Sequence, residues 1–344
     1  KPILKGLSAV FKPSRVTAIM GASGAGKTSL LNVLAGELGP GGKVSGSILL
    51  NGKECSPADI KGVSEFVFQD DLIFDTMTVR EAIWMSAKLR LPSRIKGGER
   101  RQRVAELIKL LNLEKCQDTI IGSPAQKGIS GGERKRCSIA MDMITNPPAL
   151  FLDEPTSGLD TVTAYNVMAT LRELAHEHGR TVICTIHQPS SEIFHLLDDL
   201  LLLSNGQVVY HGSVEESVSY FTSIGFPCPM YNNPADYFFM EILNETIPHG
   251  RVKETNPQER LKMVTSNWEQ QRHKVISAIK ESSNGSGDLL PVKERANFWA
   301  QFRVLFARAF KNVLRNKMIV RVRLFQSVFL AVVIGTIYFD VSRS

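Results

Sequence analysis

Two spacings of apolar positions run through this chain, and the switches between them mark out its elements. Val16 to Met20 is a short apolar run of the kind buried in a sheet, and Thr28 to Leu34 follows as a helix. Ala149 to Leu152 and Thr181 to Ile186 repeat the buried-strand pattern, and Val63 to Phe68 is a further strand. Asp199 to Leu203 and Gln207 to Tyr210 flank Asn205-Gly206, which predicts a hairpin. Ser47 to Leu50 runs into Asn51-Gly52, predicting a small antiparallel layer. Ile3, Leu7, Ala9 and Phe11 fall mainly on alternate positions, as in a half-buried strand. Helical spacing appears at Val104, Leu107, Ile108 and Leu111.

Polar residues set the helix boundaries. Thr78/Glu81, Ser130/Glu133 and Ser213/Glu216 have capping-box spacing and predict three helix starts. Leu91-Pro92 and Asn146-Pro147-Pro148 close the first two, while the third runs to Ile224. Pro155 to Asp160 turns the chain into a helix that ends near Gly179. The basic positions Arg94, Lys96, Arg100, Arg101 and Arg103 are most simply a solvated loop and face.

From about Thr246 the pattern turns polar, with helix-like pieces and the linker Ser282 to Gly287. Asn244-Glu-Thr246 and Asn284-Gly-Ser286 fit the glycosylation sequon, which would go unused in a cytosolic domain. Between Ala296 and Phe339 there is no acidic residue. Arg303, Arg308, Lys311 and Arg315 interleave there with Phe298, Trp299, Phe302, Phe306 and Phe310, a basic amphipathic helix of the membrane-surface kind. Leu324 to Phe339 is almost wholly apolar and, with snorkelling Arg321 and Arg323, long enough to span a membrane. A buried core helix is the rival reading. The basic flank favours the span and puts the preceding domain in the cytoplasm.

Composition adds three constraints. The 344 residues, 43% apolar, suffice for a large core. The net charge of +7 is open to nucleic acid or membrane, and its weight at the C-terminal end assigns it to lipid head groups, with no nucleic acid partner. Five scattered cysteines without C-x-x-C spacing point to a reducing compartment. No signal peptide is legible, and Lys1 falls in mid-pattern, as expected of a piece of a longer chain.

The chemistry begins at Gly21-Ala22-Ser23-Gly24-Ala25-Gly26-Lys27-Thr28, which fits G-x-x-x-x-G-K-[ST] between strand and helix. Its glycines let backbone N–H groups curl around phosphates at a helix N-terminus. Lys27 is suited to the β- and γ-phosphates and Thr28 to Mg²⁺, and Ser29 completes the nucleotide-binding loop. Ala149 to Leu152 delivers Asp153 and Glu154, one carboxylate to hold Mg²⁺ and the other to polarise water. Gly131 and Gly132 are costly in a first helical turn, which makes sense if backbone must approach a ligand closely. By themselves Gln69 reads as a loop residue, His187 as a surface or packing residue, and Ser130 to Glu133 as a well-capped helix start.

The order Gly21–Thr28, Gln69, Ser130-Gly-Gly-Glu133, Asp153-Glu154, Ser157-Gly-Leu-Asp160, His187 resembles the ATPase domain of ATP-binding-cassette proteins. Ile186 to Phe194 and Asn233-Pro-Ala-Asp-Tyr237 resemble its G (White) subfamily. The resemblance implies an α/β fold: a P-loop NTPase core with a small antiparallel β layer and a helical subdomain, then an amphipathic connecting helix and a first transmembrane helix. The expected divisions are 1–245, 246–295, 296–317 and 318–344. It implies ATP and Mg²⁺ as ligands, with Gln69 touching the metal beside Thr28 and Asp153. Glu154 would be the general base, His187 the γ-phosphate switch, and Ser130, Gly131, Gly132 and Glu133 the signature loop. It also implies a half-transporter that forms a homodimer or heterodimer, sits in a membrane as a multi-pass protein with its nucleotide domain in the cytoplasm, and exports lipid, sterol or another hydrophobic substrate. A soluble cassette ATPase with a mechanical role and a non-hydrolysing regulatory subunit are the competing readings.

Overall fold

The sheet order is β4 (Ser64–Val67), β5 (Ala149–Leu152), β6 (Thr181–Thr185), β1 (Val16–Gly21), β7 (Asp199–Ser204) and β8 (Gln207–Ser213), with the phosphate-loop strand β1 among its inner members. The computed structural model describes residues 2–39, 41–70, 73–123, 126–243, 257–283, 297–315 and 317–341. In chain order the elements begin with β1 (Val16–Gly21), α1 (Lys27–Leu34), β2 (Leu49–Leu50), β3 (Lys53–Glu54), α2 (Pro57–Val63) and β4 (Ser64–Val67). Next come α3 (Val79–Arg90), α4 (Gly97–Leu110), α5 (Gly131–Met143), β5 (Ala149–Leu152), α6 (Thr161–His176) and β6 (Thr181–Thr185). Then follow α7 (Ser191–Phe194), β7 (Asp199–Ser204), β8 (Gln207–Ser213), α8 (Val214–Ser223), α9 (Pro234–Tyr237) and a π-helical turn (Phe238–Leu243). The chain closes with α10 (Pro257–Ser283), α11 (Phe298–Arg315) and α12 (Lys317–Val341).

Contacts divide the chain into two compact units, Lys1–Leu72 with Ser130–Lys293, and Ile73–Ile129 with Glu294–Ser344. The helical segment expected inside the 1–245 region thus groups with the C-terminal helices.

In the first unit β4, β5, β6, β1 and β7 are parallel, and β8 returns antiparallel through Asn205-Gly206. Every residue of β1 and of β7 is buried, which is why both read as apolar runs. Asn205 and Gly206 have φ of 48° and 76°, the left-handed pair that a tight hairpin needs. The small antiparallel layer exists as β2 and β3, two residues each. Its turn, Asn51-Gly52, is left-handed at both positions.

Four local expectations change. The Ile3–Phe11 alternation forms no strand; Lys5 donates its N–H to the Gly206 carbonyl, and Ile3 is 61% exposed. A helix not anticipated, α2, precedes β4, capped reciprocally by Ser56 and Asp59 with Pro57 in its first turn. Ser213 caps α8 by accepting the N–H of Glu215, so its spacing to Glu216 is not used. In the region 246–295, residues 257–283 form one helix, α10. Trp268 of α10 is only 6% exposed and packs beside Tyr210 of β8 and Tyr220 of α8, at ring-centroid distances of 5.7 and 6.1 Å. Asn244 and Asn284 of the sequons, and the linker from residue 284 on, lie outside the described residues.

In the second unit the Thr78 box forms as expected and opens α3. Helix α4 starts at Gly97, so Arg100, Arg101 and Arg103 lie on its solvated face, while Arg94 and Lys96 precede it. Glu81 of α3 holds α11: Arg315 Nη1 lies 2.6 Å from Glu81 Oε2 and Lys311 Nζ 2.5 Å from Glu81 Oε1. Burial opposes the Glu81 charge, yet hydrogen bonds from Arg315, Lys311 and the Thr78 N–H bring its pKa down to about 2. Arg308 adds a guanidinium 3.8 Å above the Phe74 ring. Phe298, Phe302 and Phe306 stack at intervals of four residues along α11, all more than half exposed. In α12, Arg321–Tyr338 is apolar enough to cross a membrane, and none of it is buried in the chain. At 1.5 Å per residue those 18 residues span about 27 Å, close to a hydrocarbon core of ~30 Å.

Candidate nucleotide site

Strand β1 ends at Gly21, and the loop to α1 must turn at once. A Cβ on Gly21 would stand 2.3 Å from the Leu203 carbonyl oxygen of β7, so only glycine lets the neighbouring strand pass. Gly24 and Gly26 take φ of 79° and 101°, and Gly26 is the N-cap of α1. Ser23, Gly24 and Thr28 are exposed, while Ala25, Gly26 and Lys27 are buried, so the loop has a closed floor and an open lip. Ala22 and Ser29 are half-buried between the two. Lys27 Nζ donates to the carbonyls of Gly21 at 2.8 Å and Ala22 at 3.1 Å. Burial lowers the Lys27 pKa, and the charges of Glu154 and Asp153 oppose that shift.

The acid pair arrives from β5. Asp153 Oδ1 accepts the Thr28 hydroxyl at 3.2 Å and the Thr185 hydroxyl at 2.5 Å. Thr185 Oγ1 also accepts the N–H of Glu154 at 2.8 Å, so a single hydroxyl on β6 organises both acids. Glu154 has a φ of 44°, uncommon for a residue with a side chain and typical of functional turns. Gln69 Nε2 donates to Glu154 Oε2 at 3.0 Å. Its amide nitrogen thus engages the Glu154 carboxylate, which leaves Oε1 as the acceptor atom of that side chain.

The oxygen pair of Thr28 and Asp153 suits Mg²⁺. That ion takes one or two protein oxygens and completes its shell with phosphate and water. Among the described residues no group of three His, Cys, Asp or Glu gathers, so no closed protein cage competes with that arrangement.

Ser130 caps α5 through the expected box: its N–H and hydroxyl both reach Glu133 Oε2 at 2.8 Å. The two glycines have an intrachain reason the pattern does not reveal. A Cβ on Gly132 would come within 2.1 Å of Thr163 Cγ2, and one on Gly131 within 3.1 Å of Leu159 Cδ2. The signature turn is therefore pressed against the start of α6. His187 follows β6, is exposed, and shares with Glu154, Ser157, Leu159 and Gln188 a cleft of about 410 Å³.

Gln69, Thr28, Asp153 and Glu154 thus come together at the C-terminal ends of parallel strands, the usual ligand edge of such sheets. The turn at 130–133 instead engages Leu159 and Thr163. Two contributors escape the sequence reading. Thr185 looks like an ordinary β-branched strand residue. Lys135 looks like one more charge in a basic helix, yet it is 3% exposed and donates to the Gln69 carbonyl at 2.8 Å. Their only signals are a hydroxyl inside an apolar strand and a cation on a buried helix face.

Two family models match the chain. Residues 4–157 match the model described as ABC transporter, and residues 187–283 match ABC-2 type transporter. The chain is 40% identical over 99% of its length to the broad substrate specificity ATP-binding cassette transporter ABCG2 of Mus musculus, covering 54% of it. It is 38% identical to ABC transporter G family member 1 of Petunia hybrida over all of this chain and 54% of that one. To protein white of Drosophila melanogaster it is 39% identical over 98% of this chain and 50% of that one. The chain thus spans about half the length of these relatives. Among solved structures, cbiO1 from Clostridium perfringens superposes with a TM-score of 0.55 at 28% identity, covering 64% of this chain and 86% of that one. A bacterial ABC transporter cassette solved as a dimer gives 0.51 at 26% identity, over 62% and 90% of the two chains. The chain belongs to the ATP-binding-cassette transporter family, in its G subfamily, and carries that family's ATPase domain.

Proposed function

We propose that this chain is the ATP-hydrolysing part of a half-transporter that exports lipid, sterol or another hydrophobic substrate. The observation that carries the hydrolytic reading is the convergence of Thr28, Asp153, Glu154 and Gln69 around the phosphate loop. Lys27 and the backbone of Gly21 to Gly26 hold the phosphates. Mg²⁺, held by Thr28 and Asp153 with Gln69 Oε1, would neutralise charge on the phosphate oxygens. Glu154 takes the proton from the attacking water, and His187 contacts the γ-phosphate. A second copy or a related half-transporter supplies Ser130 and Gly131 to the same ATP, so two sites form in the dimer. Helix α11 lies on the lipid surface with its aromatic stripe inward, and α12 begins the membrane domain. The nucleotide domain then faces the cytoplasm.

Phosphate release by the full-length protein in lipid vesicles tests the reading. We expect ATP-dependent release that Glu154→Gln abolishes while ATP binding persists. Release that survives the substitution would remove Glu154 as base. A full-length protein soluble without detergent would favour a soluble mechanical ATPase instead.

A further inference from the structure

His187 is exposed at the end of a strand, and an exposed imidazole free to rotate makes a poor switch. Its surroundings show what fixes it. Gln188 takes a φ of 43°, so the chain bends sharply right after the histidine. Pro189 is buried, and its carbonyl accepts the Asn233 Nδ2 donor at 2.8 Å. Asn233 is itself pinned: its Oδ1 caps α9 through the Ala235 N–H at 3.1 Å, and its Nδ2 also reaches Asp236 Oδ2 at 3.1 Å. Two residues past α9, the Phe239 ring lies nearly parallel to the His187 ring, centroids 5.8 Å apart and planes 27° apart.

Phe239 is only 8% exposed, so it is not a loose neighbour. The residue before it, Phe238, is fully buried and packs at 4.6 Å from Phe221 and 6.1 Å from Phe194. Phe194 ends the short helix that begins directly after the switch loop. One stretch of seven residues therefore meets the loop at its histidine, its proline and the helix that follows. The stretch runs into the π-helical turn Phe238–Leu243, a distortion that recurs at functional sites.

We propose that Asn233 to Phe239 is a brace that sets the orientation of the His187 ring for hydrolysis, with Phe239 and Asn233 as positioning residues. The proposal rests on the reading of His187 as the γ-phosphate contact. Asn233 fixes the height of the loop through the Pro189 carbonyl, and Phe239 limits rotation of the ring by covering one face of it. Neither side chain needs to touch ATP.

The experiment compares His187→Ala, Phe239→Leu, Phe239→Tyr and Asn233→Ser in the full-length protein in lipid vesicles, reading turnover, KM for ATP and unfolding midpoint. Leucine keeps the apolar bulk without the ring, tyrosine keeps the ring, and serine keeps the helix cap without the reach to Pro189. Phe239→Leu and Asn233→Ser should each lower turnover roughly tenfold with KM and midpoint near wild type. Phe239→Tyr should restore most of the activity, and Phe239→Leu should cost nothing further in His187→Ala. Equal losses in the leucine and tyrosine variants would overturn the brace, because a lost ring would not be the cause. So would wild-type turnover in both Phe239→Leu and Asn233→Ser while His187→Ala is inactive. Wild-type turnover in His187→Ala would instead overturn the underlying reading of the histidine. If Phe239→Leu fails to fold, Asn233→Ser at its half-buried polar position decides alone.

Discussion

Thr185 donates its hydroxyl to Asp153 across 2.5 Å, the shortest tie between β6 and the acid pair, while accepting the N–H of Glu154. Thr185→Val keeps the shape and loses both bonds. The Glu154 N–H would lose its acceptor, at a cost of about 1–3 kcal/mol, and both carboxylates would lose their orientation. Turnover should fall at least roughly tenfold, and Thr185→Ser should keep it. Phosphate release and thermal unfolding on the full-length protein check this; a valine variant indistinguishable from wild type would dismiss the role.

Glu154→Gln should retain nucleotide binding and lose turnover by ~10²–10⁴-fold, because the amide is nearly isosteric but cannot take a proton. The Gln69 contact offers a finer reading. Gln69→Ala should be milder, since it removes a hydrogen bond to Glu154 and leaves the carboxylate. Single-turnover phosphate release with both variants gives the ranking, and a reversed order would contradict these roles.

Gly132→Ala should be destabilising by about 1–3 kcal/mol, because its Cβ would overlap Thr163 Cγ2. Serine at position 163 lacks that methyl and keeps the N–H that Asp160 accepts at 3.0 Å. Thr163→Ser should therefore rescue Gly132→Ala in unfolding midpoint. Additive losses in the double variant would count against the contact.

Glu81 provides the pH dependence. Its pKa in the folded protein, about 2, lies below the ordinary 4.5. The unfolded chain therefore takes up the proton first as pH falls. The stabilisation is complete above about pH 4.5 and disappears as pH drops towards 2. Glu81→Gln should remove about 1–3 kcal/mol at neutral pH, allowing for solvent screening of the partly exposed cations. Hydrogen exchange across residues 298–315 at pH 7 should speed up in the variant. Protection unchanged from wild type would mean that the ion pairs do not hold α11.

What was legible in the sequence is what is decided locally. The phosphate loop needs glycines at Gly24 and Gly26 whatever surrounds it, and the boxes at Thr78 and Ser130 close within four residues. Ser56 and Asp59 cap α2 with the same spacing, but an aspartate stands where the pattern has Glu or Gln, which weakens the signal. Non-local constraints were invisible. Gly132 is glycine because Thr163 is beside it, and Thr185 matters because β5 ends at its level. Ile3 to Phe11 alternates like a strand, yet the inner strands of the sheet are already paired with one another, and the segment meets the Gly206 turn through Lys5 and His211 of β8 through Phe11.

The pairing of Glu81 with Arg315 spans 234 residues, and that distance has a consequence for how the chain is made. At ~5–20 residues per second, the ribosome needs roughly 10–50 s to deliver Arg315 after Glu81 has emerged. Helix α3 is born with one acid missing its cations, and its own Thr78 box is what keeps that carboxylate occupied meanwhile. Completion of the helical unit therefore waits for the same stretch of chain that leads into the membrane helix. Substitutions at Lys311 or Arg315 should appear first as newly made protein that fails to mature, before any defect in the finished molecule is measured.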